Sequence, residues 1–201
     1  MAGSHPPLGP TPPAVPSVTT VPSPRRPPRP RGSVRGWYEN ELGWATVPGS
    51  PVRLFTGRHF DVLEVPAGAG RAALGRIGPA APVALRGDRM RFLVRAGGAE
   101  ELPGLLRWLE WGAVALDLTA IGAGGSITAP LPPGARRGTA QGAAVWLRPP
   151  VPGREESSLP TMSAPRGDKG APDLVRLVDT LATEVHRARL WSACAQPLAF
   201  S

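Results

Sequence analysis

Thr56-Gly57-Arg58-His59-Phe60-Asp61-Val62-Leu63-Glu64-Val65-Pro66 is the stretch on which the rest of the chain is organised. Its core, Phe60 to Val65, is rich in β-branched and aromatic residues and predicts a strand. Pro66 cannot donate a backbone hydrogen bond, so the strand ends there. Thr56-Gly57 provides the turn that leads in. Downstream, Ala73, Leu74 and Ile77 recur at helical spacing and predict a short helix over 68–77. Residues 82–86 and 90–95 predict two strands joined at Gly87-Asp88, a hairpin signal.

Upstream, the aromatic-rich 37–44 predicts a helical turn closed by Gly43. Residues 45–47 and 52–55 predict short strands split by Pro48-Gly49-Ser50-Pro51. Farther on, Leu102, Leu105, Leu106 and Leu109 form one apolar face of a helix over 99–111. Glu100 and Glu101 sit in its first turn, Pro103 near its start, and Gly112 at its end. Residues 114–118 predict a strand, Gly122-Ala123-Gly124-Gly125 a turn, 126–129 a strand running into Pro130, and 143–147 the last strand. After a loop, a helix beginning near Pro172-Asp173 carries the stripe Leu174, Leu177, Val178, Leu181, Val185 and Ala188, a face for packing on the sheet. Short helices between groups of strands define an α+β fold with a mixed, mainly antiparallel sheet and short flanking helices.

The chain has 201 residues, with 27 prolines, 25 glycines and a net charge of +8. Eleven prolines fall in the first 30 residues. Residues 1–35 hold Arg25, Arg26, Arg29, Arg31 and Arg35 and no acid, so they contribute +5 of the total. This segment has almost no large apolar side chains to offset its ordering entropy and is expected to be a disordered Pro/Arg-rich leader. Its basic groups could attract nucleic acid, and its polyproline stretches could dock a protein partner. All but one of the 23 basic residues are arginine. With the abundant Ala, Gly and Pro, that is the composition of high-GC, actinobacterial-type coding. The expected division is a leader over 1–35, a domain over 36–148, a loop over 149–172 and a C-terminal helix over 173–195. One cysteine, Cys194, excludes an intrachain disulfide or thiolate cluster and is expected as a small packed side chain. With no signal-type segment and no apolar run long enough to span a bilayer, the chain is expected in the cytoplasm, without a membrane partner.

The 56–66 stretch, with the glycine-containing helix that follows it, resembles the first conserved block of the archaeo-eukaryotic primase–polymerase superfamily. Specifically, it is similar to the bifunctional DNA primase/polymerase N-terminal domain, which shows a Thr-Gly turn, a hydrophobic Leu-Asp-x-Asp strand, then Gly and a short helix. Gly43-Trp44-Ala45-Thr46-Val47-Pro48 is similar to the family's Gly-Trp-x-Val-x-Pro strand. Ala115-Leu116-Asp117-Leu118, followed by Gly124-Gly125-Ser126-Ile127-Thr128-Ala129-Pro130, is similar to its third block. The resemblance runs over about residues 43–148 and implies a primase–polymerase-like fold.

It implies chemistry only in part. Two-metal nucleotidyl transfer needs carboxylates a few ångströms apart to share Mg²⁺ or Mn²⁺. Alternate strand residues face one side, so Asp-x-Asp delivers two carboxylates together. Here those positions are Glu64 and Pro66, and proline cannot ligate. The third-block acid is retained as Asp117. The family's histidine strand corresponds to 87–93, which has no His; Arg89 and Arg91 stand there as candidates to hold a phosphate. The loop between the first strand and the Thr-Gly turn is shortened to 48–51.

Glu64 and Asp117 are thus the candidate metal and catalytic residues. Either they form a reduced site for Mg²⁺ or Mn²⁺, or they are polar positions on a sheet face, solvated or paired with Arg89 or Arg91. The corresponding functions are a non-catalytic nucleic-acid-associated or regulatory module that needs no cofactor, a metal-dependent nucleotidyltransferase, and a protein-interaction module acting through the tail. His59 is expected on an exposed turn and His186 on a solvated helix face. Ser126 lacks the nucleophile-elbow pattern. Gly122–Gly125 is not followed by a helix and fits no phosphate-loop fingerprint. Trp108 and Trp111 are expected as packing residues at the end of their helix.

Overall fold

Phe60–Pro66 does form a strand, β3, and its two neighbours are determined by how the chain enters and leaves it. A computed structural model describes residues 33–78, 81–135, 144–162 and 173–194. The other described strands are β1 (Thr46–Val47), β2 (Arg53–Phe55), β4 (Val83–Arg86), β5 (Arg89–Arg95), β6 (Thr119–Ile121), β7 (Ser126–Thr128) and β8 (Ala144–Arg148). The helices are α1 (Val34–Gly36), which runs into a π-helical turn (Trp37–Glu41), then α2 (Ala67–Leu74), α3 (Gly98–Trp108) and α4 (Leu174–Cys194). The fold is α+β, and the ladders between these strands are all antiparallel. They make two sheets where the sequence suggested one: a five-stranded sheet ordered β6-β3-β5-β4-β8 and a three-stranded sheet ordered β1-β2-β7.

The two sheets are joined where β2 passes into β3 and where β6 passes into β7. These connections touch. Thr56 Oγ1 donates to the Gly122 carbonyl at 2.5 Å, and the Thr56 amide donates to the Gly125 carbonyl at 3.1 Å. Gly57 has a φ of +85°, and a Cβ there would lie 2.3 Å from the Ala123 Cα. Only glycine satisfies both the dihedral and the approach.

Alternation along β3 divides the core. Leu63 and Val65 pack with Met90, Phe92 and Val94 of β5 against Leu102 and Leu105 of α3 and Leu174, Leu177, Val178 and Leu181 of α4. Phe60 and Val62 face the other way, with Leu93, and pack against Leu54 and Ile127 of the small sheet and against Tyr38, Leu42 and Trp44. Each fully buried large side chain contributes about 1.5–3 kcal/mol. Glu184 on α4 is also buried, and it is neutralised by Arg76 at 2.9 Å and Arg187 at 3.0 Å.

Several expectations are corrected. The described fold includes Ser33, which caps α1, and Arg35, which donates to Thr46 Oγ1 at 2.6 Å and to the Val47 carbonyl at 2.9 Å. The rest of the leader lies outside the described residues, as do 163–172 of the loop. Residues 114–118 are not a strand. Leu118 points inward as alternation requires, but the β3–β6 ladder begins at Glu64↔Thr119. Extending it by two residues would set Asp117 opposite Pro66, which has no N–H to give. Helix α3 stops at Trp108, with Glu110 at a φ of +65°, and Pro103 lies inside it. Trp108 is 72% exposed because its position falls outside the arc of Leu102 and Leu105. Cys194 is exposed, since the last turn of α4 extends past the core. Among the described residues no helix is long and apolar enough to cross a membrane.

Helix α3 starts from Gly97, which offers no side-chain cap. Asp61 of β3 supplies it: Oδ2 accepts from the Gly97 amide at 2.8 Å and the Ala99 amide at 3.1 Å. Asp61 is fully buried and its Oδ1 makes no hydrogen bond. Burial pushes its carboxyl above the ordinary range, outweighing the backbone amide bonds that favour the charged form.

Two outcomes follow. Gly57→Ala should cost about 3 kcal/mol in urea unfolding. Gly87→Ala, at φ +59° with open space around it, should cost about 1 kcal/mol. For Asp61, the native carboxyl keeps its proton to higher pH than the unfolded one, so stability falls as pH rises from the ordinary carboxylate range through the raised native value. Asp61→Asn keeps an acceptor for the amides and carries no charge, so its stability should be flatter across that window in urea melts.

Candidate functional site

The site grows from the β3–β5 register, which sets Glu64 opposite Arg91 and Pro66 opposite Arg89. Glu64 shares the face of Phe60 and Val62, and Arg89 and Arg91 share the face of Leu93. The apolar members of that face lie under the small sheet. The charged ones follow along the same strands.

Arg91 Nε donates to Glu64 Oε2 at 2.6 Å. Arg89 Nε donates to the other oxygen, Oε1, at 3.2 Å. Arg89 then reaches across the uncharged Pro66 to the segment before β6. There its Nη1 donates to Asp117 Oδ1 at 2.8 Å and Oδ2 at 2.7 Å. Its Nη2 makes only a 3.4 Å contact with the Glu64 carbonyl. The pairing with Asp117, reinforced by Glu64, holds the Arg89 guanidinium above its ordinary pKa against the opposing effect of burial. Side-chain exposure grades outward: Arg91 9%, Glu64 16%, Arg89 23% and Asp117 59%. Nη1 of Arg91 is buried and makes no hydrogen bond.

The four residues singled out from sequence are therefore brought into one connected network. Glu64 and Asp117 do not face each other across open space; Arg89 lies between them. Their two negative charges are matched by two guanidinium groups, so the pair has no uncommitted charge to offer a divalent cation. Among the described residues no group of three or more His, Cys, Asp or Glu side chains is placed to hold a metal. As paired with Arg89 and Arg91, this donor set does not fit Mg²⁺ or Mn²⁺.

The remaining candidates separate from this network. His59 is exposed on its turn. Ser126 lies in β7, its carbonyl accepting from Arg53 at 3.2 Å. The Gly122–Gly125 turn serves the contact with Thr56 and Gly57 described above. His186 is half-buried rather than solvated, with its ring centroid 5.6 Å from that of Trp111, which donates to Asp179 at 3.2 Å. Arg189 donates to the Ala115 carbonyl at 2.6 Å. These α4 contacts fasten the 111–115 segment, two residues short of Asp117. The sequence pattern does not reveal them, because α3 ends at Trp108 and the contacts of Trp111 are set by α4, far along the chain.

No family model, curated protein or solved structure matches the chain.

The gradient of burial separates the two acids experimentally. Glu64→Gln leaves the buried Arg91 without its counter-charge and should cost about 3 kcal/mol in urea unfolding. Asp117→Asn removes an exposed pair and should cost at most about 1 kcal/mol.

Proposed function

We propose that this chain is a degenerate primase–polymerase-like domain that acts as a non-catalytic, nucleic-acid-associated or regulatory module. One observation carries the reading: Arg89 bridges Glu64 and Asp117, the two acids that a nucleotidyltransferase would commit to metal ions. Pro66 stands at the second carboxylate position of the strand and faces Arg89. The contact between the Thr-Gly turn and the Gly122–Gly125 turn agrees with the shared framework, since both belong to the blocks that carry the resemblance.

The net charge of +8, most of it in residues 1–35, supports weak electrostatic attraction to nucleic acid. The polyproline character of the same residues supports docking to a protein.

The test is a calorimetric titration of the full chain with Mn²⁺, paired with a primer-extension assay. No saturable uptake and no extension are expected, in the wild type or in Glu64→Gln. Saturable binding in the wild type that is lost in Glu64→Gln, or template-dependent extension, would overturn the non-catalytic reading and restore the enzyme.

A further inference from the structure

The charged network has more donors than its acceptors satisfy. Arg91 is more than nine-tenths buried, yet its Nη1 has no hydrogen-bond partner. Arg89 uses a single nitrogen, Nη1, for both oxygens of Asp117, while its Nη2 makes only the 3.4 Å contact with a carbonyl. A guanidinium fork gives its strongest pairing when two nitrogens meet two oxygens in parallel. Asp117 does not complete that fork. Both arginines are held to the two oxygens of the one Glu64 carboxylate, which brings their guanidinium groups side by side.

The two acids differ in how firmly they are placed. Glu64 is on the second strand of the large sheet and is 16% exposed. Asp117 precedes β6, outside any ladder, and is 59% exposed. An exposed pair of this kind contributes little and is readily exchanged.

We infer that Asp117 is a tethered competitor on an oxyanion site formed by Arg89 and Arg91, displaced when a phosphate group binds. Glu64 remains in place as the counter-charge that positions both guanidinium groups. The incoming phosphate completes the Arg89 fork and supplies an acceptor for Arg91 Nη1. The inference deepens the non-catalytic reading above and rests on it: binding to this site is gated by an internal carboxylate, with no group transferred. Phosphate oxygens are the shared chemistry, whether from the free ion or from a nucleic-acid backbone.

The test compares the wild type with Asp117→Asn, Arg89→Gln and Asp88→Asn, each as the full chain, with folding checked by thermal melts. Inorganic phosphate and a short single-stranded oligonucleotide are titrated separately. Asp117→Asn should bind about two- to fivefold tighter, the range that removal of an exposed pair allows. Arg89→Gln should weaken binding about tenfold or more. Asp88→Asn removes a charge from the neighbouring turn without removing a competitor, and should leave affinity unchanged. Tightening with inorganic phosphate assigns the free ion as sufficient; tightening confined to the oligonucleotide assigns the backbone; both support displacement. Equal tightening in Asp88→Asn overturns it, because field alone would then explain the effect. So does loss of binding in Arg89→Gln with no change in Asp117→Asn, which leaves the arginine site standing and removes the competitor. Metal uptake in the Mn²⁺ titration bears on the parent reading independently.

Discussion

Two turns, one carrying the chain from β2 to β3 and the other from β6 to β7, meet in a contact too close for any side chain at Gly57. Because β3 pairs with β6 and β2 pairs with β7, each turn hands its chain from one sheet to the other at the same corner. The Thr56 hydroxyl and amide close that corner on the Gly122 and Gly125 carbonyls. The angle of the small sheet over the large one is fixed there. So is the covered half of the face that holds Phe60, Val62 and Leu93. Where the cover sits determines which positions of β3 and β5 can carry charge.

The opposite face depends on β3 as well. Asp61 points among the helices and ends on the first amides of α3, so one strand supplies a core face, a charged face and a helix cap. The arrangement concentrates demands on seven residues. It also explains why the strand carries a buried acid at 61: the N-cap of α3, Gly97, has no side-chain acceptor of its own.

Local signals were legible in the sequence. The β3 strand, the hairpin at Gly87-Asp88, the glycine turn at 122–125 and the stripe of α4 all follow from period, turn chemistry and punctuation over a few residues. The division into two sheets was not, because it depends on partners about 70 residues apart. The error at 114–118 is instructive in the same way. Leu118 is buried as it would be in a strand, but the ladder needed a donor from Pro66, which lies far back in the chain. The candidate acids were found by alternation and by likeness to family blocks. Their commitment to Arg89 was not, since the β3–β5 register that places a guanidinium beside Pro66 is a long-range property. Trp108 and Cys194 failed for simpler reasons: Trp108 falls off the buried arc of its helix, and Cys194 lies past the point where α4 leaves the core.

Pro66 opposite Arg89 also couples the effects of substitutions at these two positions. A single exchange that placed a carboxylate at position 66 would set it directly across from Arg89, where it would be captured as a third acid of the ion-paired network. Removing Arg89 first would leave Asp117 and part of Glu64 without their partner. Neither step alone yields a pair of free carboxylates. A change at 66 has value for metal chemistry only on a background already altered at 89, and the reverse holds too. The two positions are epistatic through one guanidinium, and no single substitution at either of them frees two carboxylates together.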